Sequence, residues 1–341
     1  MTDSTLIQPG AAPPLPPAPL PGPPAGGKDK GPKESSSAWK LSDRIGLAIC
    51  WFLGLLFCAI AIAVVVYLFF QGVKFFDFDL LFTPADEGGT TEASSGGFSG
   101  ALLGTMIVAA LGIAIALPVG VGIAVWLTEY GRPSALARIT ESTIEAIAGI
   151  PSIVFALFGT VIFSTTALSF LSYSTDGVVL GRSFLAAGAM LSLVALPLIV
   201  ASTREGLNAI PQHVREASYG VGKTKAATTR RILIPASKPQ ITTGAMLGLG
   251  RIIGDTAIIV ILLGAQQVFA PVESSPFPLN YLRGTGTTLT NYVYEASPTG
   301  NLNQPNKAFV AAFVLLVMVL ILNAAVDVVH RRARRIGTWN S

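Results

Sequence analysis

Arg251 and Asp255 stand four residues apart inside an otherwise apolar run from 241 to 265. On a helix that spacing places them on one face, close enough to pair. At 1.5 Å per residue, Arg251 would lie about 13–15 Å into the helix, near the middle of a bilayer. Holding either charge there costs at least about 2.5–3.5 kcal/mol, and pairing offsets only part of it. A guanidinium at such depth suits a tetrahedral oxyanion, because it presents several donors in one rigid plane. On that reading Arg251 faces a path for an anion, and Asp255 holds it or exchanges partners with it. The alternative is a buried ion pair that fixes subunit packing. Glycines at 244/248 and 250/254 form two small-residue repeats that suit close helix packing.

A second constellation reads Glu216-Ala217-Ser218-Tyr219-Gly220-Val221-Gly222, then nine residues, then Ile232-Leu233-Ile234-Pro235. A short helix from about Pro211 to Tyr219 would present Arg215 and Glu216 to a partner. Gly222 permits a chain reversal that a Cβ would hinder. The basic stretch 223–231 then forms a second short helix ending near Pro235. Such a unit is a rigid lever for a separate protein; the alternative is a solvated basic loop facing anionic lipid. The spacing resembles the ATPase-docking loop of bacterial ABC importer permeases, carried here by Glu216, Ala217, Gly222, Ile232 and Pro235. Ser218 and Ile234 depart mildly from that pattern, where Ala and Leu are usual.

Two phosphate-loop resemblances fail on their own residues. Gly222-Lys223-Thr224 lacks the required earlier glycine, since position 217 is Ala217, and Gly248-Leu249-Gly250 is followed by Ile253 rather than a glycine. ATP and Mg2+ are therefore expected on another chain, with no cofactor on this one. His213 and His330 lie far from any carboxylate cluster at metal spacing, so no metal site and no catalytic residue is expected. Cys50 and Cys58, about 12 Å apart along one helix, are too distant for a disulfide and read as packing residues.

These residues must be positioned by elements of a membrane protein. Of 341 residues, 51% are hydrophobic and only 12% charged, about half the charge of a soluble domain. Six runs are long enough to cross a bilayer: roughly 45–70, 101–127, 142–166, 184–203, 241–265 and 307–329. Pro118, Pro151 and Pro197 fall inside them, which membrane helices tolerate. Eighteen basic residues lie before the first run, between the second and third, between the fourth and fifth, and after the sixth, against four in the other connections. The positive-inside rule then puts both termini in the cytoplasm, and argues against a nucleic-acid patch. The expected organisation is a disordered Pro/Gly-rich tail over 1–40, a first helix and outer loop over 41–97, a transmembrane domain over 98–330 with its docking loop at 204–238, and a basic cytoplasmic end over 331–341. The outer segments 71–100 and 266–306 read as solvated connectors or as surfaces for an extracytoplasmic partner.

Three motifs carry a closer resemblance. Gly248 to Thr256 resembles the G-x-G-R-A-x-G-E-T signature of phosphate-specific ABC transporter permeases. Glu145 to Phe155 resembles their E-x-x-A-G-I-P-S-x-V-F motif, and Leu127-Thr128-Glu129-Tyr130 their L-x-E-Y. The resemblance runs from about 98 to 330 and favours the A-type subunit. Asp255 stands where Glu is usual, and Ile252 where Ala is usual. The resemblance implies an all-α, six-helix, type I ABC importer permease fold in the bacterial inner membrane. It implies a C-type permease partner, two copies of a cytoplasmic ATPase, an extracytoplasmic phosphate-binding protein, phosphate as cargo, and contact with lipid. It places Arg251, Asp255, Thr256, Glu145 and Ser152 along the substrate pathway, with Glu145 equally compatible with the cytoplasmic interface. An importer for another oxyanion or small solute, and a transporter or channel with no motor, remain open alternatives.

Overall fold

The computed structural model describes residues 41–84, 96–131, 133–172, 174–175, 178–179, 181–264, 279–300 and 302–337. The expected disordered tail at 1–40, part of both outer connectors and the last four residues lie outside them. The described residues are almost entirely helical. Four helices are long and apolar enough to cross a membrane: α1 (Leu41–Lys74), α3 (Ser99–Val125, continued by the π-helical turn Trp126–Tyr130), α6 (Phe184–Asn208) and α14 (Pro305–Gly337). A short α2 (Asp79–Phe82) follows α1.

The third and fifth expected spans are not single helices. Over 142–166 the chain forms α4 (Ala135–Gly149) and α5 (Ser152–Phe163), bent by 106° at Ile150-Pro151. Pro151 disfavours helical backbone at the residue before it, and Gly149 adds little to resist the break. Pro151 is thus a helix end rather than a tolerated kink. Over 241–265 the chain forms α10 (Lys238–Gly254) and α11 (Ala257–Leu262), separated by Asp255-Thr256. Between α6 and α10 run α7 (Gln212–Gly220), α8 (Lys225–Thr228), a π-helical turn Thr229–Leu233 and α9 (Ile234–Ala236). On the far side of α11 lie α12 (Leu279–Leu282) and α13 (Leu289–Ala296). A two-residue antiparallel pair joins Ser174-Thr175 to Val178-Val179.

The chain divides into two units at Ile62. In the first, α1 is apolar and exposed along its described length, a surface suited to lipid. In the second, the rest of α1 packs on α14: Tyr67 meets Phe309 edge-on at 5.9 Å and Phe69 meets Phe313 at 5.4 Å.

The centre of this second unit is α6, which is 72% buried over its most apolar window, against 28% for α3 and 22% for α14. It lies between α3 and α10 because small residues let backbones approach. A Cβ on Gly244 would sit 3.2 Å from the Cα of Ile199, and one on Gly248 3.0 Å from its side chain. The 244/248 repeat therefore packs as the sequence suggests. At the 250/254 repeat nothing among the described residues of this chain lies within 4 Å of a Cβ at either position.

At the other end of α3, Gly104 lies against the backbone carbonyl of Thr287, while Thr105 Oγ1 accepts the amide of Leu289 at 2.8 Å. These contacts seat α13, whose Tyr292 ring lies 5.5 Å from that of Phe98. A side chain at 104 would have to displace backbone, and overpacking of this kind costs about 1–3 kcal/mol or more. Gly104→Val is therefore expected to cut the yield of monodisperse protein in detergent severalfold. Gly122→Ala in the same helix, where a Cβ meets nothing within 4 Å, should leave that yield unchanged.

Candidate functional site

The break between α10 and α11 is built by its own side chains. Asp255 is extended (φ −85°, ψ 117°) and its Oδ1 accepts the amide of Ile258 at 3.0 Å, capping α11. Thr290 of α13 donates to the carbonyl of Ile253 at 2.6 Å, satisfying an acceptor that the interruption frees. Irregular backbone at membrane depth is stable only with such partners. Thr256 lies half-buried within the break.

Arg251 reaches back across this break rather than along one continuous helix face. Its Nη2 stands 3.7 Å from Asp255 Oδ2, beyond hydrogen-bond length, with the Arg251 side chain 44% exposed and that of Asp255 2% exposed. Asp255 thus splits its duties, one oxygen capping a helix and the other facing a cation. Arg251 makes no hydrogen bond among the described residues, so its donors are available. It shares an exposed face with Thr243, Leu247, Gly250 and Gly254, and the two glycines leave bare backbone beside the guanidinium.

The other two pathway candidates are not joined to Arg251. Glu145 is exposed on amphipathic α4, and Ser152 is half-buried at the start of α5, just past the bend. Neither forms a hydrogen bond or ion pair with Arg251 among the described residues. α5 does run beside α11, with Gly159 against Leu262.

The loop between α6 and α10 folds as two short helices around a reversal. Gly222 has φ +79°, the left-handed region that favours glycine, with open space where a Cβ would stand. Thr224 caps α8 through the amide of Ala227 at 3.3 Å. The two arms are joined by a buried hydroxyl pair, Ser218 with Thr228 at 2.8 Å, which explains a serine where the docking-loop pattern has alanine. Glu216, Ala217 and Val221 are exposed, whereas Ile232 packs half-buried beside buried Leu207 and Leu233, and Pro235 is exposed.

Arg215 corrects the sequence-based expectation. It is not presented outward with Glu216 but turned inward, its side chain 13% exposed. Nε and Nη2 donate to Glu129 Oε1 at 3.2 and 3.0 Å, Nη1 to the carbonyl of Ile210 at 2.6 Å, and Nη2 to that of Leu207 at 2.8 Å. Beside it Lys225 Nζ lies 5.1 Å from the centre of the Tyr130 ring. A second pair, Arg204 with Glu141, joins the end of α6 to α4. Motif spacing did not point to either pair, whose partners lie 86 and 63 residues apart.

The family described as "Binding-protein-dependent transport system inner membrane component" matches residues 116–335. "Phosphate transport system permease protein PstA 1" of Mycobacterium tuberculosis (strain ATCC 25618 / H37Rv) is 32% identical over 216 residues, covering 62% of each chain. "Phosphate transport system permease protein PstA" of Mycobacterium leprae is 37% identical over 144 residues, covering 42% of this chain and 43% of that one. "Probable ABC transporter permease protein YqgH" of Bacillus subtilis is 30% identical over 195 residues, covering 57% and 59%. The chain thus aligns with less than two thirds of the length of these relatives. Among solved structures, "Crystal structure of a bacterial ABC transporter involved in the import of the acidic polysaccharide alginate" superposes with a TM-score of 0.54 at 15% identity, covering 85% of this chain and 99% of that one. At that identity the likeness concerns the fold.

Proposed function

Because the chain belongs to the family of binding-protein-dependent transport system inner membrane components, we propose that it is the A-type permease subunit of an ATP-driven importer of inorganic phosphate. The observation that carries the cargo is Arg251: a half-exposed guanidinium on a glycine-bare face of α10, faced by the buried carboxylate of Asp255. A phosphate reaching it meets a planar donor fork and no bulky neighbour at 250 or 254. Thr256 adds a hydroxyl at the break. Glu145 and Ser152 are placed along the same pathway by the motif resemblance, with Glu145 equally compatible with the cytoplasmic interface. The names of the mycobacterial relatives agree with a phosphate cargo, whereas the alginate importer of like fold shows that fold alone does not select it.

The chain performs no hydrolysis in this reading. ATP and Mg2+ bind two copies of a separate cytoplasmic ATPase, which docks on Glu216, Ala217, Gly222, Ile232 and Pro235. A C-type permease supplies the other half of the path, and an extracytoplasmic binding protein delivers phosphate. The distribution of Lys and Arg supports an inner-membrane protein with both termini in the cytoplasm. Closure of the ATPases pulls the 204–238 loop, the helices rock, and the cavity alternates between the two sides.

Labelled-phosphate uptake at micromolar supply, in cells lacking this chain and then re-supplied with it, tests the reading. Re-supply is expected to restore ATP-dependent uptake. Uptake that never depended on the chain would remove phosphate as the cargo and turn the test to other oxyanions. Purification of the chain without any ATPase would instead favour a channel.

A further inference from the structure

Glu129 is one of the few buried carboxylates among the described residues, 8% exposed. It lies in the π-helical turn Trp126–Tyr130 that closes α3, and such turns are often kept where function needs an altered helix. Arg215 ties this residue to the carbonyls of Leu207 and Ile210, so a single guanidinium gathers the end of α3, the end of α6 and the start of α7. The next residue, Tyr130, lies under Lys225 of α8. Both arms of the docking loop are therefore fastened to the adjacent pair Glu129-Tyr130, and the Ser218–Thr228 bond holds the arms to each other.

The loop is covalently continuous with α6 and α10 but not with α3. Motion of the loop reaches α3 through the packing of α6 along it and, at its end, directly through Arg215 and Lys225. α3 carries 27 residues, and at its far end Thr105 holds the amide of Leu289. It thus joins the loop on one side of the membrane to the 287–296 segment on the other. A buried pair resists slipping, since separating it strands a charge away from water.

We propose that Glu129 and Arg215 are positioning residues that form the joint through which the docking loop drives α3. The proposal rests on the coupling role assigned to the loop above. In the test, the full complex with its ATPase and binding protein is reconstituted in vesicles, with Cys50 and Cys58 replaced. Spin labels go on exposed positions 103 of α3 and 247 of α10, and their separation is followed with and without ATP. This readout does not depend on the cargo. Wild type is expected to show an ATP-dependent shift in separation. Glu129→Gln should co-purify with the ATPase and hydrolyse ATP but lose that shift, and Glu129→Asp should recover it. An unchanged shift in Glu129→Gln would overturn the proposal, as would loss of the shift together with loss of the ATPase, which would make the pair a folding element only. A wild-type chain that recovers no ATPase would instead overturn the coupling role itself, and this inference with it.

Discussion

Arg251→Ala is expected to reduce phosphate uptake by about a hundredfold while the subunit still assembles with its partners. Two charge-assisted hydrogen bonds to an anion are together worth about 3 kcal/mol or more, and each 1.4 kcal/mol is tenfold in occupancy. Assembly should survive because the side chain is 44% exposed and supports no other part of the fold, while Asp255 retains its cap on Ile258. Arg251→Lys keeps the charge but offers a point cation in place of a planar fork, so partial uptake is expected. The two variants separate the chemistry from the charge. Uptake by Arg251→Ala that matches wild type, in membranes with equal amounts of subunit, would remove Arg251 from the pathway.

The apolar runs were legible because composition alone dictates them: a stretch like 45–70 has no soluble alternative. The helix breaks were not. Pro151 reads as a tolerated interruption inside a span, since membrane helices do accept proline, and Gly254-Asp255-Thr256 reads as part of one continuous helix. What decides between a kink and a break is whether distant groups satisfy the freed backbone. For the second break, one such group is Thr290, 37 residues away on α13. The pairing of Arg251 with Asp255 was anticipated, though not that Asp255 would reach it from non-helical backbone. Gly222 was legible because its chemistry is local, and its positive φ needs no tertiary partner. Arg215 was misread for the opposite reason. Its neighbour Glu216 is exposed, and only the return of the loop onto Glu129 shows that the two adjacent charges face opposite ways.

That opposition shapes the second large effect. With Arg215 turned inward, the outward face of α7 presents Glu216 and Ala217, and the docking proposed above would set the ATPase against the small side chain at 217. Ala217→Arg is expected to abolish recovery of the ATPase with the chain. The substitution sets a long, hydrated cation into a close contact, and a well-packed central interface position is commonly worth 2 kcal/mol or more, at least about tenfold in affinity. The fold itself should tolerate the change, because position 217 is exposed and the bonds that hold the loop run through Ser218, Thr228 and Arg215. Affinity capture with a tagged chain, followed by an ATPase assay on the eluate, reads the outcome. Ala217→Ser should retain the ATPase, which distinguishes bulk from mere substitution. If Ala217→Arg recovers as much ATPase as wild type, docking does not run across this face of α7, and the resemblance of the Glu216-to-Pro235 spacing to a docking loop would need another explanation, such as a basic loop resting on anionic lipid. If it recovers none while remaining monodisperse, the face is the contact, and the inward Arg215 then stands directly behind the surface on which the ATPase pushes.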